Sequence, residues 1–77
     1  KFMIKKSRYI KNSNELGINL KLARQRANIT QSTASLAVGL NRSCIAYYEL
    51  GKNLPTIFTL IKLAEIYKID LNKLMTI

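Results

Sequence analysis

The chain has 77 residues, 48% of them hydrophobic, which is enough for one hydrophobic core and too little for two. Thirteen Lys and Arg against four acidic residues give a formal net charge of +9, so we expect a polyanionic partner, either nucleic acid or an anionic membrane surface. Cys44 is the single cysteine and histidine is absent, which excludes an internal disulfide and disfavours zinc sites and nucleophile–base pairs; we expect no enzyme activity, metal or cofactor.

A basic arm, residues 1–12, precedes the domain that we expect to span residues 13–77. The arm carries five of the thirteen cations and no acid. Because terminal segments are commonly mobile, one interpretation is a tail that attracts phosphate groups. The other is a short strand built on Phe2, Ile4 and Ile10.

The first helix is predicted to start at Ser13 or Asn14, either of which can cap it, and to be interrupted at Asn28. Its apolar residues recur at the spacing of one buried stripe, namely Leu16, Leu20, Ala23 and Ala27. Ile18 and Leu22 form a second apolar strip that a monomer does not need, so either the arm or a second copy of the chain packs there. We expect a homodimer, with further contacts from Leu71, Leu74, Met75 or Ile77.

Further helices follow the first at short intervals. Their predicted ranges are Gln31 to Val38, Asn41 to Leu50, Thr56 to about Tyr67, and a short helix after Asp70 that contains Leu71, Leu74 and Met75. The predicted caps of these four helices are, in chain order, Thr30, Asn41, Thr56 and Asp70, while Gly39 and Gly51 follow the ends of the first and second. Their inward residues are predicted to be Ala34, Val38, Leu40, Ile45, Tyr48, Leu60, Leu63, Ala64 and Tyr67. An all-α, five-helix bundle is therefore expected.

The two helices on either side of Gly39 have the turn length of a helix-turn-helix, a geometry that an ordinary helical corner shares. The run ITQSTASLAVGLNRSCIAYYELGKNLP resembles the Cro/C1-type (XRE) helix-turn-helix family of phage repressors and related bacterial regulators. The resemblance covers about residues 16–75 and rests on Arg24, Gln31, Gly39, Ile45, Glu49, Gly51, Lys52 and Pro55. The chain departs from the usual family pattern at Ala34, Ser35, Ala46, Tyr47 and Tyr48. The resemblance implies a lambda repressor-like DNA-binding fold.

The resemblance also implies that the third helix enters the major groove of DNA, where residues near a helix N-terminus reach base edges. The expected base-reading residues are Arg42, Ser43, Ala46 and Tyr47. Arg42 can form two hydrogen bonds with a guanine or contact a phosphate. Ser43 can meet a base, a phosphate or water, and Tyr47 is either a contact to thymine methyl groups and sugars or an ordinary surface tyrosine.

Residues on either side of the reading helix are expected to contact the DNA backbone, namely Gln31, Asn41, Lys52 and Asn53. Gln31 stands beside the free N–H groups at a helix start, a natural phosphate site, and the resemblance implies the same role. Lys52 and Asn53 would clamp further phosphates, and the alternative is a solvated turn. Arg24 and Glu49 occupy positions that the family often pairs, so the resemblance implies a structural ion pair beneath the reading helix.

Two functions remain open at this point. The first is a sequence-specific transcriptional repressor that binds a near-palindromic operator as a dimer, with its reading helices about 34–36 Å apart. The second is a protein-interaction module of antitoxin or developmental-regulator type with secondary DNA binding. Membrane attachment has no dedicated amphipathic helix, and no apolar run reaches the roughly 20 residues of a membrane span, so we expect a cytoplasmic, nucleoid-associated protein of a bacterium or phage.

Overall fold

The computed structural model describes residues 8–77, which form five α-helices joined by short loops. The helices are α1 (Ser13–Arg26), α2 (Gln31–Val38), α3 (Arg42–Glu49), α4 (Ile57–Ile66) and α5 (Leu71–Leu74). The predicted all-α, five-helix architecture is confirmed for this part of the chain. None of these helices is long and apolar enough to cross a bilayer. Phe2 and Ile4, on which the strand interpretation of the arm depended, lie outside the described residues.

Three of the helices have an N-cap residue whose side chain accepts a hydrogen bond from the backbone N–H three residues further on. In α1 this residue is Asn12 rather than Ser13 or Asn14, and its Oδ1 accepts from the N–H of Glu15 at 3.0 Å. The predicted caps of α2 and α4, Thr30 and Thr56, are confirmed. Those predicted for α3 and α5, Asn41 and Asp70, hold the N-cap positions without a side-chain hydrogen bond.

One core joins the helices, because α1 packs on α3 and α5, while α2 packs on α3 and α4. Its buried side chains are Leu16, Leu20, Ala23, Ala34, Ile45, Leu60, Leu63, Ala64, Tyr67 and Leu74. The predicted stripes of α1 and α4 supply most of them. Of the other residues predicted to face inward, Ala27, Val38, Leu40 and Tyr48 are partly exposed.

The short helix α5 corrects one prediction about self-association. Leu74 is 0% exposed and fills the core of its own chain, so its assignment to a dimer contact was wrong. Leu71 and Met75 are partly buried and pack against the same core. The physical reason is that α5 folds back on both α1 and α4, which turns its apolar side inward. Ile18 and Leu22 remain exposed on α1.

The last residues of the arm lie against the C-terminal segment. The N–H of Ile10 donates to the carbonyl of Met75 at 2.8 Å, and the N–H of Ile77 donates to the carbonyl of Arg8 at 2.7 Å. These two bonds flank an isolated antiparallel bridge, and Ile10 is partly buried against the core. The end of the arm is therefore attached to the helical domain.

Asn19 of α1 holds the same C-terminal segment from the other side. Its Nδ2 group donates to the carbonyl of Leu74 and to the carbonyl of Thr76, both at 2.8 Å. A single amide of α1 thus binds two backbone carbonyls, one at the last residue of α5 and one beyond it, and fixes the C-terminal segment to α1.

Candidate nucleic-acid interface

The turn between α2 and α3 sets the angle at which α3 is presented. Gly39 ends α2 in the left-handed conformation, with φ at +72°, which favours glycine because a β-carbon would be strained there. Asn41 then holds the N-cap position of α3, and α3 packs against both α1 and α2. Two helices held at a short glycine turn, with the second supported from behind, have the arrangement of a helix-turn-helix.

The outer face of α3 carries most of the residues predicted to read bases. Ile45 and Glu49 are buried on the inner face, whereas Arg42 and Ser43 are exposed at the start of the helix. Tyr47 is 43% exposed, one turn further along. The fourth predicted residue, Ala46, is partly buried, so three of the four side chains lie fully on the exposed face.

The C-terminal end of α3 closes with two hydrogen bonds that form a Schellman motif. The N–H of Gly51 donates to the carbonyl of Tyr48 at 3.1 Å, and the N–H of Lys52 donates to the carbonyl of Tyr47 at 2.9 Å. Gly51 permits this turn with φ at +76°. The helix therefore ends at Glu49 with Leu50 as its C-cap, one residue earlier than predicted.

The Schellman motif brings together Tyr47, predicted to read bases, and Lys52, predicted to contact the DNA backbone. Lys52 Nζ lies 5.6 Å from the centroid of the Tyr47 ring, within the range of a cation–π contact. Asn53 follows on the exposed turn, and Asn41 is exposed at the opposite end of α3. The side chains predicted for base reading are thus bordered at both ends by those predicted for the DNA backbone.

An ion pair joins α1 to the inner face of α3. The guanidinium of Arg24 donates twice to the carboxylate of Glu49, from Nε to Oε2 at 2.6 Å and from Nη2 to Oε1 at 3.0 Å. Arg24 Nη1 also donates to the carbonyl of Ile29 at 2.9 Å. The hydrogen bond from Arg24 to Glu49 raises the pKa of the guanidinium, which outweighs the lowering by burial. This charged pair, with side chains 12% and 4% exposed, positions the helix from behind.

Gln31 takes part in the same network. Its Nε2 group donates to Oε1 of Glu49 at 3.0 Å, whereas the prediction placed this side chain at a phosphate. A buried carboxylate is a strong acceptor that Arg24 alone does not fully satisfy, and it draws the amide inward. One carboxylate therefore connects α1, α2 and α3.

Two residues of α1, neither of which was predicted to support the reading helix, also fix the position of α3. Gly17 is buried, and a β-carbon at this position would lie 2.5 Å from the carbonyl oxygen of Glu49. The hydroxyl of Ser13 donates to the carbonyl of Gly51 at 2.9 Å. A glycine inside a helical pattern costs about 1 kcal/mol relative to alanine, so Gly17 itself was a signal of close backbone packing.

Known proteins with a helix-turn-helix are similar to this chain in sequence and in fold. The chain matches the model of the helix-turn-helix family HTH_3 over residues 20–74. No curated protein sequence matches the chain. Among solved structures it is similar to the restriction-modification controller protein C.AhdI from Aeromonas hydrophila, at 25% identity and a TM-score of 0.76, over 82% of this chain and 96% of the controller.

Two further structures share the fold at lower identity. The clp gene regulator ClgR from C. glutamicum is 14% identical with a TM-score of 0.75, over 80% of each chain. Hydroxypropylphosphonic acid epoxidase from S. wedmorenis is 18% identical with a TM-score of 0.76, over 83% of this chain but only 34% of the enzyme. The chain thus spans about a third of the epoxidase, and this likeness concerns the fold of that part.

Proposed function

This chain belongs to the HTH_3 helix-turn-helix family of DNA-binding transcription regulators, and from that premise we propose that it binds a specific operator and represses transcription there. The observation that carries the proposal is the outer face of α3, where Arg42, Ser43 and Tyr47 are exposed while an ion pair fixes the inner face. An α-helix presented in this way fits the major groove, where each base pair offers a distinct set of donors and acceptors.

The charge distribution supports binding to the phosphate backbone. Glu49 is the one acidic residue between Glu15 and Glu65, and its carboxylate is buried in the pair with Arg24. The exposed face of α3 and its flanking turns therefore carry no carboxylate to repel phosphates, while Lys52 stands at its edge. A net charge of +9 adds a long-range attraction to DNA of any sequence.

Recognition of an operator by two copies of the chain is the second part of the proposal. The N-terminal half of α4 and the turn before it expose an apolar stripe, here called the α4 stripe, whose members are 41–74% exposed: Leu54, Ile57, Phe58 and Ile61. Within α4, Ile57 and Phe58 lie one turn from Ile61 and therefore on the same side of the helix. Because the α4 stripe follows directly after Lys52 and Asn53, pairing through it would fix the separation of two reading helices beside the DNA. Ile18 and Leu22 on α1 form a smaller alternative surface.

Selection of duplexes from a random pool tests the function. We expect the wild-type chain to enrich a near-palindromic sequence with two half-sites, and its affinity to fall steeply as the salt concentration rises. Placed across a promoter, the enriched duplex should lower transcription in a purified system. Equal affinity for enriched and random duplexes at physiological salt would contradict sequence-specific regulation.

Sedimentation of matched variants tests the pairing. Phe58→Glu places a charge in the α4 stripe, Ile18→Glu places one on α1, and Leu36→Glu serves as control because Leu36 is an exposed leucine on α2, outside both surfaces. We expect Phe58→Glu alone to shift the chain from dimer to monomer. Loss of the dimer in Ile18→Glu instead would assign pairing to α1, and a wild-type monomer both free and on DNA would contradict pairing altogether.

A further inference from the structure

The contact between Lys52 and Tyr47 is built by the backbone rather than by chance proximity of two surface side chains. In a Schellman motif the residue after the glycine turns back toward the residue that opens the last helical turn, and those two side chains commonly touch. Here the residue after the glycine is Lys52, and the residue it meets is Tyr47. The usual hydrophobic contact of the motif is replaced by an ammonium group 5.6 Å from the ring centroid.

The turn that carries Lys52 is itself fixed to α1. Ser13 donates to the carbonyl of Gly51, and a β-carbon at Gly51 would lie 2.9 Å from the Cα of Asn14. The backbone of the turn therefore packs against the start of α1 and has little freedom to move away. The backbone position of Lys52 relative to α3 is consequently fixed.

We propose that Lys52 is a positioning residue for sequence recognition: it holds the Tyr47 ring in the orientation in which the ring meets base pairs. The inference rests on the proposed function and extends it, because it makes base preference depend on a residue outside the reading helix. A purely electrostatic lysine would strengthen binding to every duplex alike.

An exposed aromatic ring is free to adopt more than one orientation. Tyr47 is 43% exposed, and burial on the outer face of α3 is insufficient to hold it in one rotamer. A cation over the ring face favours one orientation before DNA arrives, so less side-chain entropy is lost on binding. The ammonium keeps its N–H donors for a neighbouring phosphate, so one side chain can orient the ring and contact the backbone together.

Single and paired substitutions test the proposal, with the duplex enriched by the wild-type chain and its single base-pair variants as probes. We expect Lys52→Ala to reduce discrimination by about two- to fivefold at the base pairs whose discrimination Tyr47→Ala also reduces. At other base pairs discrimination should stay unchanged. Lys52→Arg should retain it, because a guanidinium also stacks over an aromatic ring.

The double variant of Lys52→Ala and Tyr47→Ala separates orientation from charge. In it, discrimination should equal that of Tyr47→Ala alone, whereas overall affinity should fall further because a phosphate contact is lost. Lys62→Ala, which removes an exposed cation from α4, is the matched control and should leave discrimination unchanged. In the free protein, nuclear magnetic resonance should show Lys52→Ala, but not Lys62→Ala, shifting the Tyr47 ring signals.

Two results would overturn the inference. One is a Lys52→Ala variant that weakens every duplex by the same factor, and the other is unchanged Tyr47 ring signals in that variant. Failure of the wild-type chain to enrich any sequence would instead count against the proposed function, while the ring signals would still report the contact. The two proposals can therefore fail separately.

Discussion

Gly17 of α1 and Glu49 of α3 meet backbone to backbone: a β-carbon at Gly17 would lie 2.5 Å from the carbonyl oxygen of Glu49. A second carbonyl oxygen, that of Tyr48, would be 2.6 Å away. Neither atom belongs to a flexible side chain, so any substituent must push the two helices apart. The reading helix therefore packs against α1 at a position where only glycine leaves enough space.

Gly17→Ala tests this contact between α1 and α3. Although alanine is the better helix former, we expect the substitution to lower the free energy of unfolding by about 1–3 kcal/mol, because the added carbon overpacks the helix contact. Urea unfolding measures the change, and DNA affinity should also fall as α3 is displaced. Gln25→Ala, at an exposed site of the same helix, is the control and should be close to neutral. A stabilised Gly17→Ala variant would contradict the close contact.

The contributions of Arg24 and Glu49 to the free energy of unfolding should depend strongly on each other. Arg24→Met leaves the buried carboxylate with Gln31 as its remaining side-chain donor, and we expect a loss of about 3–5 kcal/mol in unfolding free energy. Replacing both residues by methionine should cost less than the sum of the single changes, since no charge is then left unpaired. Chemical denaturation of the three variants measures this coupling. Strictly additive losses would show that the pair is not energetically linked.

We expect the free energy of unfolding to fall in strong alkali because of Tyr67. Burial, followed by the nearby charge of Glu49, raises the pKa of Tyr67 from 10.0 to about 12. The folded state thus favours the neutral phenol, and its contribution to stability is complete below pH 10, where the unfolded chain is also protonated. Between pH 10 and about 12 the unfolded state loses this proton first, so stability falls.

Comparison with Tyr67→Phe isolates that effect, because the variant differs from the wild-type chain only by the phenol hydroxyl. The wild-type free energy of unfolding should fall more steeply with pH than that of the variant across this window. Parallel curves would exclude the phenol as the cause.

Arg42→Ala should change base preference rather than affinity alone. If Arg42 pairs with a guanine, its loss removes about 1–3 kcal/mol of discrimination at that position of the enriched duplex. Arg26→Ala provides a control that removes the same charge from an exposed site at the end of α1. Binding to single base-pair variants measures both. An equal loss on every duplex would place Arg42 at the phosphate backbone.

The helices could be predicted because their signals are local. Thr30 and Thr56 cap through bonds to a backbone group three residues away, and the apolar spacing of Leu60, Leu63 and Tyr67 repeats within two turns. The resemblance in the stretch from Gln31 to Lys52 then identified the family and the reading helix.

Contacts between distant parts of the chain could not be predicted in this way. Leu74 is apolar whether it fills a core or a dimer interface, and only the fold of α5 onto α1 and α4 buries it. The amide of Gln31 can donate a hydrogen bond to a phosphate or to a carboxylate equally well. Its partner here is Glu49, 18 residues along the chain, because the fold places that carboxylate beside it.

The sequence by itself determined the helices, their apolar sides, the family and the excess of positive charge, since these depend on residue type and on spacing within a few turns. Only the tertiary structure decided the other contacts that hold α3: Gly17 against its last carbonyls, Gln31 on the carboxylate of Glu49, and Lys52 above Tyr47. Each of these depends on the distance between separate elements or on the path of the chain after a helix end. Such distances follow from packing the whole domain, which no local pattern contains.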